Sequence, residues 1–294
     1  MEKTIKNNLD RDAMNLARAY CGEISWASLA FSLTLIAAYG LLLFYSVIGA
    51  VNTELAIFLL AVLSYALYTP IHEAVHGNLS GNPKKATWLD ELIGGLASVL
   101  SMTQFTMHKA AHLVHHSNTN DAKRDPDNVF GDDKPHQVLW GTFFITINQN
   151  IWYFNTRWAA ATLADKLRVV TQASATIGLR VAIVVAGYPV EALLFGVLPG
   201  VLGAMFTAFV FAWAVHQPHE NQKRYQNTST FVFNRWADTP ITYLWLFQNY
   251  HSIHHLFPRV PFHQYRNLFA EIEPIMIDKQ APIYYLGFSQ NAGR

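Results

Sequence analysis

A single cysteine, Cys21, in 294 residues leaves no partner for an internal disulfide, no C-x-x-C redox pair and no thiolate set for an iron–sulfur cluster. Charge is scarce too. Only 14% of the residues are Asp, Glu, Lys or Arg, against roughly 25% in soluble domains, which disfavours a soluble enzyme. Lys and Arg number 21 and Asp and Glu 20. With no basic excess to neutralise a phosphate backbone, nucleic acid has no electrostatic support as a partner. The sequence also lacks a G-x-G-x-x-G turn and a C-x-x-C-H haem attachment site, so it carries no recognisable electron-transfer domain. Internal repeats and low-complexity tracts are absent as well.

Apolar runs, in contrast, are plentiful. Ile24 to Val51 has no charged residue over 28 positions, more than the roughly 20 a helix needs to cross the hydrocarbon core. It is too long, and placed too far from the start, for the apolar stretch of a signal peptide. Leu55 to Ile71 follows after Asn52, Thr53 and Glu54, predicting a tight helical hairpin. Val169 to Gly187 and Ala192 to Val215, joined by Tyr188 to Glu191, predict a second. The expected fold is therefore an all-α integral membrane protein with four transmembrane helices in two hairpins. Neither short outer turn holds a Lys or Arg, and only Arg180 falls inside a span. The other basic residues lie on the side holding both termini, which the positive-inside tendency assigns to the cytoplasm. One domain is expected, 1–294, made of a cytoplasmic N-terminal segment (1–23), the membrane hairpins with their intervening cytoplasmic region (24–215) and a cytoplasmic, His-rich helical cap (216–294). Leu92 to Phe105 is short for a span and reads as a re-entrant or buried helix, and Val138 to Trp158 as an interfacial helix.

The 13 histidines are clustered. Eleven fall within residues 72–76, 108–116, 216–219 and 251–255. At their overall frequency an H-x-x-H-H pattern is expected about 0.025 times in such a chain, yet it occurs at His112, His115, His116 and again at His251, His254, His255. Positions i, i+3 and i+4 share one helix face, so each triplet aims its imidazoles at one point, as do His72 and His76. All four windows lie at the cytoplasmic ends of spans or in cytoplasmic regions, so they share one membrane face. Neutral imidazole is a common transition-metal ligand, and eight histidines exceed what one tetrahedral zinc uses. Two metal ions fit better. Thiolate-free, imidazole-rich coordination beside a bilayer points to two irons that activate O2 to attack a C–H bond of a lipophilic substrate.

The segments HEAVH (72–76), HLVHH (112–116) and HSIHH (251–255) resemble the three histidine boxes of the membrane fatty-acid desaturase and hydroxylase superfamily. Within it, AHLVHHSNTNDAKRDPDNVF (111–130) and QNYHSIHHLFPRVPFHQY (248–265) are most similar to β-carotene hydroxylases and ketolases. The likeness runs over roughly residues 55 to 270. It implies a non-haem di-iron membrane oxygenase or desaturase using O2 and two electrons from an external donor such as a ferredoxin. It implies His72, His76, His112, His115, His116, His251, His254 and His255 as ligands. A ninth comes between the second and third boxes, with His219 preferred and His216 the alternative. The reaction is hydroxylation, ketolation or desaturation, with a carotenoid ring as the favoured substrate and an acyl lipid or fatty acid as the alternative. Lys223, Arg224 and Arg235 are candidates for docking an acidic donor, a solvated loop being the plainer reading.

Other readings stand beside this one. His72, Glu73 and His76 spell H-E-x-x-H, the pattern of zinc proteases; an intramembrane protease needs one more ligand and leaves both triplets idle. A metal transporter would place its sites near the bilayer midplane rather than at the edge. His108 lies four residues before His112 and reads as a supporting or structural residue. Asp125 and Asp127 are candidates to accept from the free N–H of ligand imidazoles. His136 and His263 read as surface or interfacial residues.

Overall fold

The computed structural model describes residues 2–81, 87–128 and 135–287; Val129 and Phe130, the last two residues of the second motif, lie outside them. After an N-terminal helix α1 (Glu2–Arg18), the first span is α2 (Trp26–Val47), started by Ser25, whose Oγ accepts from the Ser28 amide. Its buried stripe is Ser28, Ser32, Leu35, Tyr39, Leu43 and Ser46, while Leu33, Leu41, Phe44 and Tyr45 are exposed. Small and hydroxyl side chains inside with large apolar ones outside invert the soluble pattern and suit a helix surrounded by lipid. The inward hydroxyls cost little because Ser32 and Ser46 donate to the carbonyls of Ser28 and Leu42, both at 2.6 Å.

Asn52 caps α3 (Thr53–Ala66) by accepting from the Leu55 amide at 3.0 Å. Only Leu67 separates α3 from α4 (Tyr68–His76), and Leu67 is itself helical, so the second span runs on through the first histidine box. The apolar run ends at Ile71, but the helix continues to His76. Gly77, at φ 72°, then stops it, and the Asn78 amide donates to the Glu73 carbonyl at 2.9 Å.

Helix α5 (Thr87–Ser101) packs against α4 at Gly94, where a Cβ would come within 2.8 Å of the Ala74 side chain and 2.5 Å of Phe105. Helix α6 (Phe105–Asn118) carries the second box. Helix α7 (Pro135–Thr156) has no Asp, Glu, Lys or Arg and exposes Trp140, Phe143, Phe144, Ile147, Ile151 and Phe154, an apolar surface fit to lie against lipid.

The third span is α8 (Leu163–Val185). The fourth, Pro189–His216, is long and apolar enough to cross but is not one regular helix. It divides into α9 (Pro189–Leu194), α10 (Leu198–Thr207), a π-helical turn (Ala208–Trp213) and a 3-10 turn (Ala214–His216). Pro199 sits in the first turn of α10, where its missing N–H costs nothing, and so it does not kink a continuous helix. Arg180 faces the bundle. Its guanidinium donates to the carbonyls of Gly196 (2.9 Å), Val99 (2.6 Å), Leu100 (2.9 Å) and Thr176 (3.0 Å), joining the break after α9 to the end of α5. Gly203 brings α10 onto α3 so closely that a Cβ would lie 2.5 Å from the Ser64 Cβ.

The cap is mainly helical: α11 (Arg235–Leu244), α12 (His251–Leu256) and α13 (Tyr265–Asp278). It also holds a two-stranded parallel sheet that the sequence reading did not anticipate, β1 (Thr230–Phe233) with β2 (Ile283–Leu286), in register Thr230↔Ile283 to Phe233↔Leu286. TFVF and IYYL are aromatic and β-branched, as strands favour. A core of Tyr250, Ile253, Val260, Tyr265, Leu268 and Ile272 unites the cap and takes in Ala13 and Ala17 of α1. Asp10 and Lys279 pair at 3.1 Å across the same junction. Four apolar helices and a helical cap make this an all-α integral membrane fold.

Candidate metal centre

Three helices from distant parts of the chain bring their histidines together. α4 supplies His72 and His76, α6 supplies His112, His115 and His116, α12 supplies His251, His254 and His255, and the end of the fourth span supplies His216. Their ring nitrogens fall into two groups, each with all ligand atoms within 4.8 Å of one another: His72, His76, His112, His116 and His254, and beside them His115, His216 and His255. His251 stands at the junction, its ring 5.0 Å from His216, 4.7 Å from His255 and 5.2 Å from His254.

The position of His219 differs from the expectation. The 3-10 turn that ends the fourth span still projects His216 into the second group, after which the chain folds back, the His219 amide donating to the His216 carbonyl at 2.7 Å. His219 is left stacked behind His216, with ring centres 6.2 Å apart, and belongs to neither group.

The residues fit metal ions well. Nε2 of His116 lies 3.0 Å from Nε2 of His112 and 2.8 Å from Nε2 of His254. Two imidazoles bound at about 2.1 Å in adjacent coordination positions hold their nitrogens about 3 Å apart. Both nitrogens of His72, and Nε2 of His76, His251 and His255, are buried without a partner. Unsatisfied buried polar atoms are costly, and a cation in each group would take up one nitrogen of each imidazole that belongs to it. Burial holds His112, His116, His251, His254 and His255 below the ordinary imidazole range, with neighbouring histidines adding to the effect, which keeps them neutral as ligands must be. Every gathered side chain is an imidazole, with no thiolate or carboxylate in either group.

Surrounding side chains decide which nitrogen carries the proton. Asp125 lies 2.9 and 3.0 Å from Nδ1 of His115. Burial alone would lower His115, but the Asp125 carboxylate outweighs it and raises the imidazole above its usual value. Gln248 Oε1 stands 2.7 Å from Nδ1 of His251 and Tyr265 OH 3.0 Å from Nδ1 of His254. The Asp125 carboxylate and Gln248 Oε1 can only accept, so each holds a proton on the Nδ1 it faces and leaves Nε2 free to face the centre, while the Tyr265 hydroxyl can take either role toward His254. Asp127 does not touch a gathered histidine; it accepts from Gln149 Nε2 at 2.5 Å, and Gln149 Oε1 meets Nδ1 of His108 at 3.0 Å. His108 belongs to neither group.

Gln248, Tyr265 and Gln149 were not singled out in the sequence. Gln248 stands three residues before His251 on the same turn, a signal that was readable; Gln149 comes from α7 and leaves no local trace. His136 is exposed, and His263 is half-buried with Nδ1 3.4 Å from Ser28 Oγ.

Glu73 takes no part in the centre. Its carboxylate accepts from Ser28 Oγ (3.2 Å), Asn78 Nδ2 (3.1 Å) and the Phe262 amide (3.2 Å), while Asn78 also donates to the carbonyls of Pro258 and Val260. It ties α2 and α4 to the loop after the third box. Glu73 therefore lacks the water-activating position that the zinc-protease reading of residues 72–76 requires.

A narrow cavity leads from the histidines between α3, α7 and α10. Tyr68, Ile145, Ala208 and Phe211 form part of its wall, together with His108, His112, His216 and His251. The π-helical turn, a form that often marks functional sites, supplies Ala208, Phe211 and Ala212 to this wall.

Comparison with known proteins agrees with this arrangement. The sequence is similar to a beta-carotene ketolase and to beta-carotene 4-ketolase 3, both of Haematococcus lacustris, each 27% identical over 101 residues. Those matches cover 34% of this chain and 30% of each relative, so the chain spans less than a third of the curated relatives it matches. The family described as fatty acid desaturase matches residues 50–287, which include every histidine of both groups. With four helices fit to cross a membrane, a buried imidazole centre and a match over most of its length, the chain belongs to the fatty acid desaturase family.

Proposed function

We propose that this protein is a di-iron, O2-dependent enzyme that oxidises a C–H bond of a carotenoid ring, by hydroxylation or ketolation. The observation that carries the reading is the pair of adjacent all-imidazole groups opening onto a narrow cavity walled by membrane helices. His72, His76, His112, His116 and His254 would hold one iron, and His115, His216 and His255 the other, with His251 at the junction. His216 takes the place first given to His219. Bound there, the iron pair supplies reduction of O2 coupled to C–H oxidation: one substrate C–H, one O2, two electrons and two protons give an alcohol and water.

The chain's own contribution is positional. Asp125 and Gln248 keep protons on the outer nitrogens of His115 and His251, and Tyr265 holds that of His254, fixing the orientation of each ring. Ile145, Ala208 and Phe211 offer an apolar wall that holds a hydrocarbon and excludes water. Electrons come from an external ferredoxin-type donor on the face that carries the basic residues, which the positive-inside tendency assigns to the cytoplasm together with both termini. Acyl-lipid desaturation is the second reading, favoured by the description of the family that matches.

Expression in cells that accumulate β-carotene, with pigments and total fatty acids profiled by mass spectrometry, separates the two. Gain of oxygen on the pigment supports the first reading, and loss of two hydrogens from an acyl chain the second. Two irons per purified chain are expected; one zinc would overturn both.

A further inference from the structure

The loop after the second box and the loop after the fourth span lie side by side. Asn120 joins them: its Nδ2 donates to the carbonyls of Asn221 (2.8 Å) and Asn227 (2.9 Å). The first loop exposes Lys123 and Arg124, the second Lys223 and Arg224. These cations outweigh the carboxylates of the same loops, Asp121 and Glu220, and Asp121 is turned onto its own main chain, accepting the amides of Lys123 and Arg124 at 2.9 and 3.1 Å. Among the described residues Lys123, Arg124 and Lys223 form no salt bridge. Between Leu113 and Trp140, and between Phe209 and Trp236, no large apolar side chain is exposed among the described residues, so this face turns to water rather than to lipid. Arg235 opens α11, whose exposed face of Trp236, Tyr243 and Leu244 is apolar and suits lipid, so Lys123 and Arg124 stand with Lys223 and Arg224 in its stead.

The patch backs onto the second imidazole group. Asp125, which follows Arg124, faces Nδ1 of His115 at 2.9 Å. Thr119, which precedes Asn120, donates from Oγ1 to the His115 carbonyl at 2.9 Å and stands 3.3 Å from Nδ1 of His255. The second loop leads on from His216, and Arg224 lies over the Phe257 ring with a guanidinium nitrogen 3.5 Å from the carbonyl of Leu256, the residue after His255. His115, His216 and His255 are thus reached from the exposed loops by one hydrogen bond or by the chain itself. Electron transfer falls off steeply with distance and runs better through bonds than across gaps, so a carrier seated on this patch would have a short path to that group.

We propose that Lys123, Arg124, Lys223 and Arg224 form the docking surface for a small acidic one-electron carrier protein, and that electrons enter beside His115, His216 and His255; this rests on the reading of the histidines as a di-iron oxidising centre. Opposite charge steers the carrier to the patch and fixes its orientation there. Two reduced carriers, each oxidised by one electron, supply the pair that a turnover consumes together with one O2 and two protons.

The test uses the full chain, loaded with iron, in phosphatidylcholine nanodiscs, with an acidic plant-type ferredoxin as the probe. Association of the oxidised ferredoxin is followed first, since it needs no turnover. It should quicken as salt is lowered, and Lys123→Glu/Lys223→Glu should slow it about tenfold at low salt. Arg18→Glu/Arg157→Glu, the same change of net charge at exposed positions elsewhere, should leave it within about twofold. Equal slowing by both variants, or none by the first, overturns the proposal. So does loss of binding to phosphatidylserine vesicles in Lys123→Glu/Lys223→Glu with an unchanged ferredoxin rate, which would give the patch to a lipid surface. Reduction of the iron then separates the surface from the centre. Iron that dithionite reduces equally in wild type and variant, and that reduced ferredoxin reduces faster in wild type, supports the proposal. Iron in the wild type that dithionite reduces and ferredoxin does not overturns the docking surface and leaves the di-iron reading standing. A purified chain that takes up no iron overturns that reading and the electron route with it, whatever the association rates.

Discussion

Asp125 grips the outer nitrogen of His115 with both carboxylate oxygens, at 2.9 and 3.0 Å, and the same carboxylate accepts the backbone amides of Asn120 and Asp127. One side chain therefore both closes the loop after α6 and fixes the proton of a gathered imidazole. Replacing Asp125 with Ala should weaken iron binding about 10- to 100-fold, the usual cost of losing such a support. Iron titration against a competing chelator measures this, and unaltered affinity would remove the role assigned to Asp125.

His216 and His219 offer a sharper contrast. His216→Ala should cost iron at the group shared with His115 and His255, lowering content toward one per chain, whereas His219→Ala should retain close to two. His254→Ala should abolish loading and turnover together, because Nε2 of His254 meets that of His116 at 2.8 Å in the first group. Metal analysis of the three variants side by side decides the ligand set; the reverse order for His216 and His219 would restore the first expectation.

Arg180 should prove a structural residue of the membrane bundle. Arg180→Met keeps the apolar stem but abandons four carbonyls, among them Val99 and Leu100 at the end of α5. With charged hydrogen bonds worth about 1.5–3 kcal/mol each, partly recovered by local rearrangement, the loss should be about 2 kcal/mol. A lowered unfolding midpoint in detergent is expected, with iron stoichiometry retained in the folded fraction.

Gly203→Val should disturb the same bundle by overpacking. The Ser64 side chain and the Tyr65 amide leave no room for a Cβ, and forcing one in typically costs 1–3 kcal/mol. The shift in thermal midpoint should exceed that of Gly178→Val, where a Cβ meets nothing within 4 Å.

Acid should unfold the metal-free protein. His112, His116, His251, His254 and His255 have folded values below the usual one of about 6.5. Below that pH the unfolded chain takes up protons that the folded chain refuses, so stability falls as pH drops through about 6.5 and on toward the folded values. His115, raised by Asp125, acts in the opposite sense: its stabilisation is full below about 6.5 and is lost as pH rises through its folded value. The lowered imidazoles, His108 and His263 among them, outnumber the raised one and set the direction. Denaturant midpoints of the apo-protein at pH 5.5 and 7.5 measure it, and greater stability at the lower pH would contradict the argument.

Much of this was legible in the sequence because two signals are physical periodicities. Apolar runs, charge-free except for Arg180 in the third, marked the four spans, and the i, i+3, i+4 spacing marked His112–His116 and His251–His255 as helix faces. What escaped depends on contacts between distant segments. The turn after Ala214 chooses between His216 and His219, and no spacing rule separates two histidines three residues apart. Tyr265 and Gln149 reach His254 and His108 only once α13 and α7 are docked. The β1–β2 pair joins residues more than fifty apart, beyond any local pattern. Arg180 was visible as a charge within a span, but its four carbonyl partners exist only where α5 ends and α9 breaks.

The unbroken passage from α3 through Leu67 into α4 makes bilayer depth and ligand aim a single mechanical variable. Each residue of that rod advances it about 1.5 Å and turns it by about 100°. Adding one alanine within α3 would swing His72 and His76 away from their neighbours while lengthening the greasy stretch by less than the diameter of a methyl group. The angular phase of this rod is thus held far more tightly than its length.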